Sequence, residues 1–240
     1  MKKNLSIIVL AYNEERSLED VVLSLLPVLK SITNKYEVLI INDGSRDKTG
    51  RIADELAKKY EEVRVIHHNK NMGYGAAQKT GFRNARYELV MAVPSDKQFD
   101  VHDIKNYIAM INNYDVIVGV RNNRKDTLFR KITSFGFNFL VSTMFNVRIK
   151  DITWVKMIRK DALKGINVES NSITADPELV IKLHAKKNLR IREIPVNYLK
   201  RESGKGESTD PKTMIITLVD LFKLWYELNF RKSKKNGNLL

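Results

Sequence analysis

The sequence predicts an α/β fold, a mostly parallel sheet with helices on both faces. Two observations carry this reading: short, nearly all-apolar runs alternate with helical patterns, and polar, glycine-rich or charged groups follow every apolar run. In order, LSIIVL (5–10) reads as a first strand and SLEDVVLSLLPVLKSI as a helix. YEVLIIND (36–43) is a second strand, followed by a helix over 49–60. VRVIHH is a third strand with a helix over 75–85, and ELVMAV a fourth with a helix over 102–112. YDVIVGV (114–120) is a fifth strand. From about residue 121 the rhythm weakens. Residues 128–145 read as a helix, 151–158 are ambiguous, and 177–187 read as a helix with Asp176 as N-cap and Pro177 in its first turn. LRIREIPV (189–196) is a late strand, and KRESGKGESTDPK (200–212) a glycine-, serine- and lysine-rich loop. One domain over 1–212 is expected, then a C-terminal amphipathic helix and basic tail over 213–240.

Composition narrows the chemistry. The chain of 240 residues contains no cysteine, which removes disulfides, thiolate metal sites and thiol catalysis and fits a reducing compartment. The apolar run after Met1 is too short for the core of a signal peptide. A net charge of +14 points to phosphate-bearing partners: nucleic acid, anionic lipid or a nucleotide-linked substrate. The excess is clustered at Arg121, Arg124, Lys125, Arg130 and Lys131, again at Arg148, Lys150, Lys156, Arg159 and Lys160, and in the tail at Arg231, Lys232, Lys234 and Lys235. No apolar run reaches the ~18–20 residues of a membrane-spanning helix. The segment TMIITLVDLFKLWYELNF is interrupted by Asp220, Lys223 and Glu227. Its apolar residues suit either packing on the domain or lying in a membrane interface ahead of the basic tail.

In parallel α/β sheets, ligands bind beyond the carboxyl ends of the strands. Those positions hold AYNEE, NDGSRDKTG, HNKNMGYGAAQ, PSDKQFD and RNNRKD. A Walker-type phosphate loop is absent: SGKGES lacks the preceding glycine at the required spacing. Gly73 and Gly75 do not follow the first strand, so they are not a dinucleotide fingerprint, and His67-His68 is not a zincin pair.

SIIVLAYNEERSLEDVV, EVLIINDGSRDKTG, NKNMGYGAAQKTGFRNA and PSDKQFD, in that order, resemble the nucleotide-sugar-binding half of family two glycosyltransferases. VGVRNNRKDTLFRKITSFGFN, IKDITWVK and LRIREIPVNYLKRESGKGES resemble the branch containing dolichyl-phosphate mannosyltransferases and bactoprenol glucosyltransferases. The resemblance implies the GT-A fold, a Rossmann-like α/β sandwich. It implies that Tyr12, Asn13 and Glu14 border the base and ribose, and that Asp43 binds one of them. Asp43 also suits a turn-capping role. Asn71, Gly73 and Gly75 precede a helix, where glycine lets backbone approach a sugar or phosphate closely, or simply starts the helix. Arg121, Arg130, Ser134 and Arg201 match positions that hold donor and acceptor phosphates, a task suited to the planar arginine fork. Asp151 matches a family aspartate, and Lys156 stands one residue short of a family arginine.

The family's fourth strand ends in Asp-x-Asp followed by glutamine. Here Asp96 and Gln98 match the second aspartate and the glutamine, but Pro94 replaces the first aspartate. Mg²⁺ or Mn²⁺ takes one or two carboxylates plus substrate phosphates, so the loss weakens a metal site without excluding it. The expected function is inverting, metal-assisted sugar transfer from a UDP- or GDP-sugar to a polyprenyl or dolichyl phosphate. The expected location is cytoplasmic, peripheral on an anionic membrane face. Asp96, Asp151, Arg121 and Arg130 are the expected catalytic groups, with Asp151 the base if the acceptor is a hydroxyl. The alternatives are transfer to a hydroxyl acceptor, nucleotide binding without turnover (raised by Pro94), and a basic nucleic-acid-binding protein, which rests on charge alone.

Overall fold

The computed structural model describes residues 3–122, 128–186, 188–199 and 211–231; the side chains of 128–133, 211–214 and 231 lie outside that description. Its elements are β1 (Lys3–Ala11), α1 (Leu18–Ile32), β2 (Thr33–Asn42), α2 (Thr49–Lys59), β3 (Val63–His67), α3 (Tyr74–Asn84) and β4 (Leu89–Pro94). A short 3₁₀ turn (Val101–Asp103) leads into α4 (Ile104–Met110). Then come β5 (Val116–Asn122), α5 (Leu128–Phe145), β6 (Lys156–Arg159), α6 (Ala175–His184), β7 (Ile191–Asn197) and α7 (Pro211–Tyr226). The strands form one seven-stranded sheet in the order β3-β2-β1-β4-β6-β5-β7. All neighbours are parallel except β6, which runs antiparallel to β4 and β5.

Helices cover both faces, which is why the strands read as unbroken apolar runs. Leu5, Ile7 and Val9 of β1 pack with Leu25 of α1, Leu56 of α2 and Tyr107 of α4. Their neighbours Ile8 and Leu10 point the other way, toward Ala77 of α3 and Leu179 of α6. Burying one such aliphatic side chain contributes about 1.5–3 kcal/mol. Helix α3 lies directly on β1 at Gly81, where a Cβ would stand 2.3 Å from Ile8 Cγ2.

A third apolar cluster joins Val141 of α5, Val180 and Ile181 of α6, and Leu221 and Leu224 of α7. Helix α7 is thus packed on the domain along one face. Its other face exposes Ile215, Ile216, Leu218, Val219, Phe222 and Tyr226. Among the described residues, no helix is long and apolar enough to cross a membrane.

One open stretch is resolved and one local expectation is corrected. The undecided stretch 151–158 contributes strand β6, whose four residues are too few to show a period and begin with a buried cation, Lys156. Asp176 is not the N-cap of α6. That position is Thr174, and Asp176 lies within the first turn, buried, with its carboxylate facing other elements, while Pro177 does sit in the first turn.

Candidate active site

The loops after β1 and β2 are laced together. Asn13 adopts φ 54°, and its side-chain oxygen accepts from the Arg46 N–H at 2.8 Å. The Asn13 N–H donates to Ser45 Oγ at 3.0 Å, and the Glu14 N–H to Thr49 Oγ1 at 2.8 Å. Glu14 also accepts from the Ser17 hydroxyl at 2.7 Å. Burial raises the Asp47 carboxyl, but hydrogen bonds from Thr49 and the Glu15 N–H outweigh it and hold the group below its usual range. Tyr12 is half-buried beside this lattice.

Asp43 is the first residue beyond β2 and is buried. One carboxylate oxygen meets His68 Nδ1 at 2.7 Å and the Met72 N–H at 2.9 Å, and the other accepts from the Gly73 N–H at 2.9 Å. His68 Nε2 faces Thr80 Oγ1 at 2.9 Å. Asp43 therefore holds the turn that starts α3, as turn chemistry allows. Asn71 supports it by accepting from the Gly73 N–H at 3.0 Å. The close approach at the two glycines is to the chain itself. A Cβ at Gly73, whose φ is 94°, would stand 2.3 Å from the Asn171 carbonyl oxygen, and one at Gly75 would stand 2.5 Å from that of Ser170.

At the end of β4, Pro94 pairs in register with Leu10 and has no N–H to offer. The Ser95 hydroxyl donates to the Leu10 carbonyl at 2.7 Å. Asp96 is half-buried and accepts from the Gln98 N–H at 3.0 Å. The Gln98 side-chain NH₂ donates to the Tyr198 hydroxyl at 2.5 Å. Because β1 lies between β2 and β4, Asp43 and Asp96 flank the loop that carries Tyr12, Asn13 and Glu14.

The arginine side of the site is closed differently. Arg121 grips Asp151 through one edge of its guanidinium, Nε to Oδ2 and Nη2 to Oδ1, each at 2.7 Å. Its guanidinium carbon lies 4.5 Å from the Trp154 ring centroid and 5.5 Å from that of Tyr198. The antiparallel direction of β6 brings Asp151 and Trp154 to the same end of the sheet as Arg121. A second buried pair stands nearby: Lys156 Nζ donates to Asp176 Oδ1 at 2.5 Å. Asp176 also accepts from the Tyr74 hydroxyl at 2.7 Å and the Gln78 NH₂ at 2.8 Å. Burial first, then the charge of Asp176, pushes the Tyr74 phenol well above its usual value, and Asp96 adds to the rise.

This arrangement of strand ends belongs to a known group. Residues 6–175 match the family described as Glycosyl transferase family 2. The chain belongs to that family. It is 30% identical over 246 residues to a dolichyl-phosphate beta-glucosyltransferase of Trichomonas vaginalis, covering 93% of this chain and 74% of the relative. It is 28% identical to the dodecaprenyl-phosphate galacturonate synthase of Rhizobium johnstonii, covering 95% and 68%. Among solved structures, glucosyl-3-phosphoglycerate synthase of Mycobacterium tuberculosis, in complex with Mn²⁺, UDP and glucosyl-3-phosphoglycerate, superposes with a TM-score of 0.71. That match covers 92% of this chain and 80% of the other at 12% identity, a likeness of fold. The GT-A sandwich implied by the sequence resemblance is the architecture found.

Within this glycosyltransferase, the structure gathers Tyr12, Asn13, Glu14, Asp43, Asn71, Gly73, Gly75, Asp96 and Gln98 at the carboxyl ends of β1, β2 and β4 and the start of α3. Arg121, Asp151 and Lys156 adjoin them, each of the three in an ion pair. Ser134 is half-buried on α5, while the Arg130 side chain and all of Arg201 lie outside the described residues. The sequence reading missed two groups. Asp176 suits a cap in the sequence, although an acid two residues into a helix beside a proline suits a buried hub as well. Tyr198 carried no local signal, since its neighbours Gln98 and Trp154 are distant in sequence.

Among the described residues, no cluster of three or more histidine or acidic side chains could hold a metal by itself. Asp96 and the Gln98 amide oxygen are hard oxygen donors two residues apart. They fit an ion of the Mg²⁺ type, which binds through one or two protein carboxylates and completes its shell with water and substrate phosphate.

Proposed function

We propose that this glycosyltransferase moves a sugar from a nucleoside-diphosphate sugar to a polyprenyl phosphate. The observation that carries this reading is the state of two buried acids, Asp151 and Asp176. Asp151 is held by Arg121 and Asp176 by Lys156, so neither stands ready as a base for a hydroxyl acceptor. A phosphate acceptor needs none. Its oxygen attacks the anomeric carbon, the bond to the nucleoside diphosphate breaks with inversion, and no proton has to move. The names of the lipid-phosphate transferases among the relatives support the same acceptor class.

In this reading Tyr12, Asn13 and Glu14 border the base and ribose, and Asp43 fixes the 71–75 turn beside them. Asp96 and Gln98 would hold a divalent cation together with the diphosphate. When bound, such an ion supplies charge neutralisation for the leaving group. Arg130, Ser134 and Arg201 receive the phosphates. The lipid is presented at the cytoplasmic face of an anionic membrane. Phe135 and Phe139 of α5, 73% and 65% exposed and stacked at 6.5 Å, stand on the helix that carries Ser134, and α7 adds its apolar outer face.

The test is product analysis. The protein is incubated with UDP- and GDP-sugars and vesicles carrying either undecaprenyl phosphate or undecaprenol, and the lipids are read by mass spectrometry. Glycosylation of the phosphate and not of the alcohol is expected. Transfer to hydroxyl acceptors alone, or no transfer from any donor, would overturn the proposal.

A further inference from the structure

Tyr198 touches both parts of the site. Its hydroxyl accepts from the Gln98 NH₂, and its ring stands edge-on to Trp154 with centroids 5.4 Å apart and planes at 74°. The same ring flanks Arg121, whose guanidinium also grips Asp151. The backbone repeats the join. Phe99 and Tyr198 form an antiparallel bridge, and the Leu199 N–H donates to the Gln98 carbonyl at 3.0 Å. One residue earlier, the Asn197 N–H donates to Asp103 at 2.6 Å and its side chain to Asp100 at 3.2 Å. The segment 96–103 and the end of β7 are thus sewn together, with Tyr198 the link that continues on to Arg121.

A primary amide has one end that donates and one that accepts, and only its oxygen can face a cation. A tyrosine hydroxyl can engage either end. Here it accepts from the NH₂, which turns the amide oxygen of Gln98 away from Tyr198. We propose that Tyr198 is a positioning residue: it orients the Gln98 amide so that its oxygen serves the metal-bound donor, and it ties that orientation to the Arg121–Asp151 pair. The proposal rests on the donor site assigned to Asp96 above. Without the hydroxyl, the amide is free to turn its NH₂ toward the same place, and a hydrogen bond is lost as well. The loss corresponds to about a three- to tenfold effect.

The experiment is calorimetry of UDP and GDP binding to the full chain, with and without Mn²⁺, for the native protein, Tyr198→Phe, Tyr198→Leu and Asp96→Ala. Tyr198→Phe keeps the ring beside Arg121 and Trp154. It is expected to cut the Mn²⁺-dependent gain in nucleotide affinity about three- to tenfold, leaving metal-free affinity at the native value and moving the melting temperature by no more than about a few degrees. Tyr198→Leu also loses the ring and is expected to cut the gain further. If the native protein shows no Mn²⁺-dependent gain, or Asp96→Ala retains it, the donor-site reading fails. If Asp96→Ala abolishes the gain while Tyr198→Phe keeps all of it, the role of Tyr198 fails and the donor site stands. A Tyr198→Phe protein that loses metal-free affinity and thermal stability together would mark a structural tyrosine and overturn the proposal as well.

Discussion

Around Asp43, the loops after β1, β2 and β3 are hydrogen-bonded one to the next, side chain to backbone. Around α5 and α7, Phe135, Phe139, Ile215, Phe222, Tyr226 and Phe230 stand exposed, over a cluster that buries only the inner faces of the same helices. The first region has its polar groups answered from within the chain, so its shape is set before any ligand arrives. The second leaves an apolar surface that an isolated protein has no reason to show water. A donor that is soluble and an acceptor that is a membrane lipid would call for that difference.

The contrast can be broken on either side. The largest effect is expected from Asp96→Ala. Initial rates with nucleotide sugar should fall at least about a hundredfold, the scale of losing a principal electrostatic group. The melting temperature should change little, because Asp96 is half-exposed. Lys156→Met tests the inner wall. It leaves Asp176 buried without its cation, so denaturant unfolding should show a loss of about 3–5 kcal/mol. The double variant Lys156→Met/Asp176→Leu should recover part of that loss. On the other side, Phe135→Ser/Phe139→Ser/Phe222→Ser should lower partitioning onto anionic vesicles at least about tenfold, since burying each ring contributes about 1.5–3 kcal/mol. Stability in water should stay near native. The smallest effect sharpens the comparison from outside both regions: Arg51→Ala removes the exposed pair with Glu55 on α2 and should cost no more than about 0.5 kcal/mol.

What the sequence showed follows the same division. The strands β1 to β5 and the loops after β1 to β4 are legible because apolar runs and turn residues are local signals. Asp96 and Gln98 stand where the resemblance placed them, at the end of β4. Less legible was whatever depends on distant partners. Strand β6 is recognisable only from β4 and β5 on either side of it, and Asp176 acquires its meaning from Tyr74, Gln78 and Lys156. A buried charge is not by itself a mark of function. Glu37 is as buried as Asp176, yet it sits toward the amino end of the sheet and accepts from Ser6, Arg64 and the Arg86 N–H. Position at the carboxyl ends of the strands separates the two. Arg121 shows the limit of reading residues singly: its match to a phosphate position said nothing of the carboxylate and two rings that already surround it.

The proposed division between a self-sufficient donor region and a membrane-completed acceptor region is tested most directly by one comparison of rates. The native protein and Phe135→Ser/Phe139→Ser/Phe222→Ser are each supplied with donor sugar and either undecaprenyl phosphate in anionic vesicles or a short, water-soluble prenyl phosphate. The account predicts that the variant loses at least about tenfold on the vesicle substrate and keeps native turnover on the soluble one. Equal loss on both substrates, or none on either, would contradict it.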